Sequence, residues 1–368
     1  MKRTVSVALI LMLMFGVMLS AAGCANNAQT PAPAPETAPR TMTDSAGRTV
    51  TLPAKVNKVY CTTPAAATML YILAPETLLG WNYQLAPHAK NFIPAPYNEL
   101  PNLGAWHMTK TTNVEELLKY DFELVLLSVP TDPAIADDIA TQTGKPVFVI
   151  NYPVTESGQY FEVLGEILGK EQRANELADY CNEVIKEIGD KAATIPQDEL
   201  VTVYYAEGNN GLMTDPKGSI ISQALDYVNG QNVADIPEKG GGGMTPITLE
   251  QLLKWDPEVI VTWSTFNEKP GFLVEQILAN GDWKEIQAVK NKRVYEAPAD
   301  KPFSFFGRLP AANQIIGFKW AGQLLYPDVY QYDIRQEIKE FYKLFYQLDL
   351  TDSQLDDVLD YGDERHLQ

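Results

Sequence analysis

A fifteen-residue unit that reads as helix then strand occurs twice in this chain, and it limits what the chain can fold into. The first copy runs Val114-Glu115-Glu116-Leu117-Leu118-Lys119-Tyr120-Asp121-Phe122-Glu123 and ends in Leu124-Val125-Leu126-Leu127-Ser128. The second runs Leu249-Glu250-Gln251-Leu252-Leu253-Lys254-Trp255-Asp256-Pro257-Glu258 and ends in Val259-Ile260-Val261-Thr262-Trp263, 135 residues later. Each ends in a short apolar run behind an acidic corner, the signature of a strand buried on both faces of a parallel sheet. The offset is too long for a solenoid. It predicts two related α/β lobes in one polypeptide.

The N-terminus carries Lys2 and Arg3, an apolar run from Val5 to Leu19, and Ser20-Ala21-Ala22-Gly23-Cys24. This pattern is that of a secretory signal over residues 1–23, since a membrane span wants about 20 apolar residues. The small residues before Cys24 resemble a bacterial lipobox, with Ala21 where leucine is commonest, so Cys24 is the expected lipidation site. Residues 24–41, rich in proline and alanine, read as a solvated tether. Removing the signal takes two positive charges from a net charge of −18 and leaves −20. Such acidity argues against a nucleic-acid partner. Cys61 and Cys181 are the other two thiols, and they read as buried free cysteines rather than a disulfide.

After a hairpin at Asp44-Ser45-Ala46-Gly47-Arg48, strands and helices alternate at parallel-sheet spacing. Between the two copies of the repeat, residues 157–193 carry Phe161, Leu164, Leu168, Leu177, Cys181, Val184 and Ile188 at helical steps. This is the longest amphipathic segment of the chain. The glycines 240–243 precede no Gly-Lys-Ser or Gly-Lys-Thr, so the loop is not a phosphate loop. Hydrolase and metalloprotease motifs are absent as well, and an enzyme is not expected. His88 and His107 read as solvated loop residues, leaving no metal-ligand set.

Aromatic residues give the stronger signal. Trp81, Tyr83, Trp106, Tyr152, Tyr204, Tyr205, Trp263, Phe303, Phe305 and Phe306 fall at or just past expected strand ends. In an open parallel sheet that edge is where ligands bind, though some of these rings must be core. With His107 they form the candidate ligand surface. Arg308 is the cation near this group, either a partner for an anionic ligand or a helix C-cap. In the repeats, Asn113 and Thr248 read as N-caps, with Glu116 and Gln251 closing capping boxes. Glu115 and Glu250 are then free to face outward.

Taken in order, these pieces resemble the substrate-binding proteins of ABC importers for iron–siderophore complexes, heme and cobalamin. The likeness runs from about Met42 to Leu348. It includes the hairpin, both repeats, Gly230-Gln231-Asn232-Val233-Ala234, Arg308-Leu309-Pro310, Gly317 and Leu325-Tyr326-Pro327. The resemblance implies two Rossmann-like α/β lobes, 42–156 and 195–345, joined by a single long rigid helix within 157–194. An acidic tail, 346–368, would follow. It implies a monomer without a cofactor that holds a metal chelate between the lobes, an iron–siderophore complex before a corrinoid, heme, molybdate or tungstate. It also implies that Glu115 and Glu250 dock on an ABC permease dimer coupled to its ATPase subunits. A surface enzyme and an adhesion or sensor protein are the readings from other classes.

Overall fold

A computed structural model describes residues 38–106, 112–128, 133–239, 244–264, 271–299, 301–306 and 312–359. The expected signal peptide and Cys24 lie outside these residues. Strands β1 (Arg40–Thr43) and β2 (Thr49–Leu52) form the opening antiparallel hairpin. The carboxylate of Asp44 accepts the N–H groups of Ala46 at 3.0 Å and Arg48 at 2.9 Å, which closes the turn. Its other oxygen accepts from Arg48 Nε and from the Val149 N–H, tying the turn to the sheet behind it.

The first half builds a parallel sheet from β3 (Val59–Cys61), β4 (Leu124–Leu127) and β5 (Val147–Val149), in that order. Helices α1 (Pro64–Leu73), α2 (Val114–Leu117) and α3 (Pro133–Thr143) intervene in sequence. A bridge from Leu78 extends the sheet on the far side of β3. After helices α4 (Ser157–Leu168) and α5 (Glu171–Ala192), the second half repeats the plan with β6 (Thr202–Ala206). There follow β7 (Met213–Thr214), α6 (Gln223–Tyr227), β8 (Gln231–Asn232), β9 (Thr245–Pro246), α7 (Leu249–Trp255) and β10 (Val259–Thr262). Helices α8 (Phe272–Ala279) and α9 (Gln287–Lys290) lead into β11 (Val294–Glu296). The order is β8-β6-β10-β11, so counting Leu78 the two sheets share one topology. β7 and β9 pair as a small antiparallel ribbon beside it.

The repeat supplies the matching inner strand of each sheet. All four residues of β4 and of β10 are buried, as expected for strands covered on both faces. The second of the two glutamates shared by both copies proves to be a register pin. Glu123 Oε2 accepts the N–H groups of Asn57 at 3.0 Å and Lys58 at 2.7 Å, at the start of β3. Glu258 Oε2 accepts the Thr202 N–H at 2.9 Å, at the start of β6. One carboxylate thus satisfies a strand start in each half that would otherwise leave donors unpaired.

The segment between the sheets is two helices rather than one. Gly169 takes φ 65°, the left-handed conformation that ends α4. The chain then reverses: Gly165 faces Ala174 and Gly158 faces Asn182, the pairing of an antiparallel hairpin. Helix α5, about 33 Å long at 1.5 Å per residue, touches both halves. At one end it packs on α1 and α4. At the other, the Ile185 carbonyl accepts from Tyr227 Oη and the Ala192 carbonyl from Asn229 Nδ2.

Helix α10 (Asn313–Leu325) packs on α5 and α6, and α11 (Ile334–Tyr346) returns to the first half. Its rings meet Phe161, Tyr71 and Phe92 through Phe345, Tyr346 and Tyr342. Part of the expected acidic tail is helical. Helix α12 (Asp352–Leu359) buries Leu355, Val358 and Leu359, because its apolar residues share one helical face. Helix α6 is preceded by a turn in which Ser222 Oγ bonds Pro216 O and Asp226 Oδ2. Among the described residues, no helix is long and apolar enough to cross a membrane.

Burial opposes the charge of Glu123, but the N–H groups of Lys58 and Asn57 and the nearby Lys145 outweigh it and hold the carboxyl below its ordinary value. A depressed carboxyl contributes stability that is present above the unfolded value of about 4.3 and lost as pH falls through the folded one. Urea unfolding from about pH 5 down to about pH 3 should therefore show a loss of stability that Glu123→Gln partly flattens. Parallel curves for both proteins would contradict the pin.

Candidate functional site

The carboxyl ends of parallel strands, where loops leave the sheet, form the crevice that binds ligands in folds of this kind. Here the two such edges adjoin. The loop after β11 carries Phe303 to within 6.0 Å, ring to ring, of Trp81, which follows the Leu78 bridge of the first sheet.

On the first edge, β3 runs into Thr62 and Thr63, and β4 into Ser128. Thr63 Oγ1 caps α1 by accepting the Ala66 N–H at 3.3 Å and lies 2.5 Å from Ser128 Oγ. Asn82 Nδ2 donates to the carbonyls of Cys61 at 2.7 Å and Gly104 at 2.8 Å. Thr62 Oγ1 and Asn82 Oδ1 are buried without a hydrogen-bond partner. On the second edge, the Ser264 N–H and Thr262 Oγ1 both donate to the Glu296 carboxylate, and Ser264 Oγ has no partner. Buried polar atoms are nearly always paired, so the orphan hydroxyl on each edge is one that a polar ligand or ordered water would satisfy. These three small residues were invisible to the sequence reading. Only their place one to three residues past a strand end singles them out.

The rings expected here divide into two groups. Trp81, Tyr204, Tyr205, Trp263, Phe305 and Phe306 are buried core residues, all but the two tryptophans wholly so. Tyr204 and Tyr205 lie inside β6 rather than past its end, and alternation sends them to opposite faces of a sheet covered on both sides. Tyr204 Oη donates to the Gly211 carbonyl at 2.8 Å, holding the β6–β7 loop. Tyr205 stacks on Phe306, and Trp81 Nε1 donates to the Tyr97 carbonyl. Tyr83, Trp106, Tyr152 and Phe303 are half-buried. His107 and Arg308 lie outside the described residues. His88 is exposed. Cys61 and Cys181 are free and buried, and burial pushes both thiols well up from their ordinary value. Among the described residues, no three His, Cys, Asp or Glu side chains are grouped to hold a metal.

The N-caps of the repeats are present. Asn113 accepts the Glu116 N–H at 3.2 Å and Thr248 accepts the Gln251 N–H at 3.2 Å. Glu116 turns its carboxylate to Lys119 Nζ. Glu115 and Glu250 are exposed in the first turns of α2 and α7.

Residues 86–301 match the family described as periplasmic binding protein, and the chain belongs to it. The molybdate-binding protein MolA of Haemophilus influenzae is 26% identical over 338 residues, 84% of this chain and 92% of that protein. The ABC transporter substrate-binding lipoprotein YvrC of Bacillus subtilis is 26% identical over 329 residues, 87% of this chain and 96% of that protein. An ABC transporter solute binding protein from Sulfurospirillum deleyianum superposes with a TM-score of 0.80 at 28% identity, over 87% of this chain and 99% of that one. The chain is thus a substrate-binding protein of an ABC importer and not an enzyme, and what it holds is cargo rather than a cofactor.

The two threonines of the first edge should respond oppositely to loss of the hydroxyl. Thr62→Val should leave unfolding stability unchanged or slightly raised, since no bond is lost. Thr63→Val should cost about 1–2 kcal/mol by removing the cap. Chemical denaturation compares them directly.

Proposed function

We propose that the chain is a lipid-anchored extracytoplasmic receptor whose cargo is a compact metal oxyanion of the molybdate or tungstate class. The observation that carries this reading is the pair of unpartnered hydroxyls, Thr62 on one cleft edge and Ser264 on the other. Small neutral donors, one past a strand end in each sheet, suit a tetrahedral ligand with oxygen on every face. Most of the rings that a broad, flat chelate would need are instead consumed by the core. Similarity to a relative named for molybdate, across nearly the full length of both chains, agrees with this choice. An iron–siderophore complex is the second reading, favoured by the half-buried Tyr83, Trp106, Tyr152 and Phe303.

Titration calorimetry separates the two. Molybdate or tungstate should bind one to one, and Thr62→Val with Ser264→Ala should weaken binding about tenfold or more. Tryptophan quenching by ferric chelates, with no heat from either oxyanion, would transfer the assignment to the second reading.

In this reading Cys24 carries the lipid, residues 24–41 serve as tether, and α5 joins the lobes 42–156 and 195–345. Glu115 and Glu250 pair with cations on the two permease subunits. In cells, Glu115→Ala with Glu250→Ala should leave ligand affinity intact while uptake falls about tenfold or more. In the same assay, Cys24→Ala should shift the receptor from membrane to soluble fraction. Normal uptake by the double variant would remove the docking role.

A further inference from the structure

The repeat contains a leucine pair that the two halves use identically. Leu117 and Leu252 are buried at 1% and 0% and anchor α2 and α7 in their respective cores. The next residue in each copy, Leu118 or Leu253, faces solvent at 46% and 39% exposure. Neither leucine contributes to a core, yet the same residue type stands at the same place in both copies. Each follows the exposed glutamate by three residues, one helical turn, so carboxylate and leucine lie on one face.

We infer that Leu118 and Leu253 are the apolar half of a two-point docking footprint for the permease, an inference that rests on the docking role of Glu115 and Glu250. An exposed leucine beside an exposed carboxylate, presented twice at matching positions, fits a partner that offers one surface twice. Each copy of that surface would hold an apolar socket with a cation at its rim. The carboxylate steers and orients through a charge that salt screens, while the leucine holds through desolvation that salt does not weaken. The match is not perfect in the flanking ring. Tyr120 is 40% exposed, whereas its counterpart Trp255 is half-buried and tilts against Tyr204. The second footprint is therefore the narrower one.

The experiment measures binding of the full receptor to nanodiscs holding the permease–ATPase complex, at low and high salt. Empty nanodiscs and sedimentation of the receptor alone serve as companions. Leu118→Ser with Leu253→Ser should weaken binding about tenfold or more at both salt concentrations. Thermal stability and cargo affinity should be unchanged. Glu115→Ala with Glu250→Ala should weaken binding chiefly at low salt. Wild-type binding by the leucine variant, alongside impaired binding by the glutamate variant, would overturn this inference and keep the docking role. Wild-type binding by the glutamate variant would instead overturn the docking role itself. Equal, leucine-dependent binding to empty nanodiscs, or leucine-dependent self-association, would assign the leucines to lipid or to a second copy and would also overturn it.

Discussion

The close approach of α4 and α5 is the contact on which the remaining architecture depends. A Cβ on Gly165 would fall 2.3 Å from that of Ala174, so the helices can sit together only because the position is glycine. That contact, with Gly158 against Asn182, makes α5 one arm of a rigid hairpin rather than a lone helix. Since α5 then reaches α10 and α6 of the second half, the two sheets hang on a stiff frame.

A buried charge centre reinforces the frame where three helices meet. Lys319 of α10, almost wholly buried, lies 2.7 Å from Glu337 of α11 and 3.8 Å from Glu187 of α5, with the Tyr332 ring 5.0 Å away. Such a pair adds little net stability over an apolar packing, but breaking it strands a buried charge at a cost of about 3–5 kcal/mol. The aromatic ladder of α11, with Phe341 and Phe345 stacked at 4.2 Å, then ties the chain end back to α1 and α4. One continuous core runs through both halves.

On that frame, the duplicated unit has three distinct jobs. Its glutamate at 123 or 258 sets strand register, its first leucine fills a core, and its apolar run is an inner strand. What is left over, Glu115 with Leu118 and Glu250 with Leu253, faces outward. Separating these jobs required burial and hydrogen bonding, because sequence identity marks all of the positions equally.

The sequence alone determined the α/β class, the duplicated plan, the caps at Asn113 and Thr248, and the free thiols. These rest on local periodicity, turn chemistry and spacing, which a chain expresses residue by residue. The tertiary structure alone decided which rings remain available to a ligand. Trp81, Tyr204, Tyr205 and Phe306 carry the same local signal as Tyr83 or Tyr152, and only the covering of both sheet faces sends them into the core. It also decided that Thr62, Asn82 and Ser264 are among the residues with a buried, unsatisfied polar atom. Whether a hydroxyl finds a partner depends on what folds over it from far along the chain, and no local pattern contains that.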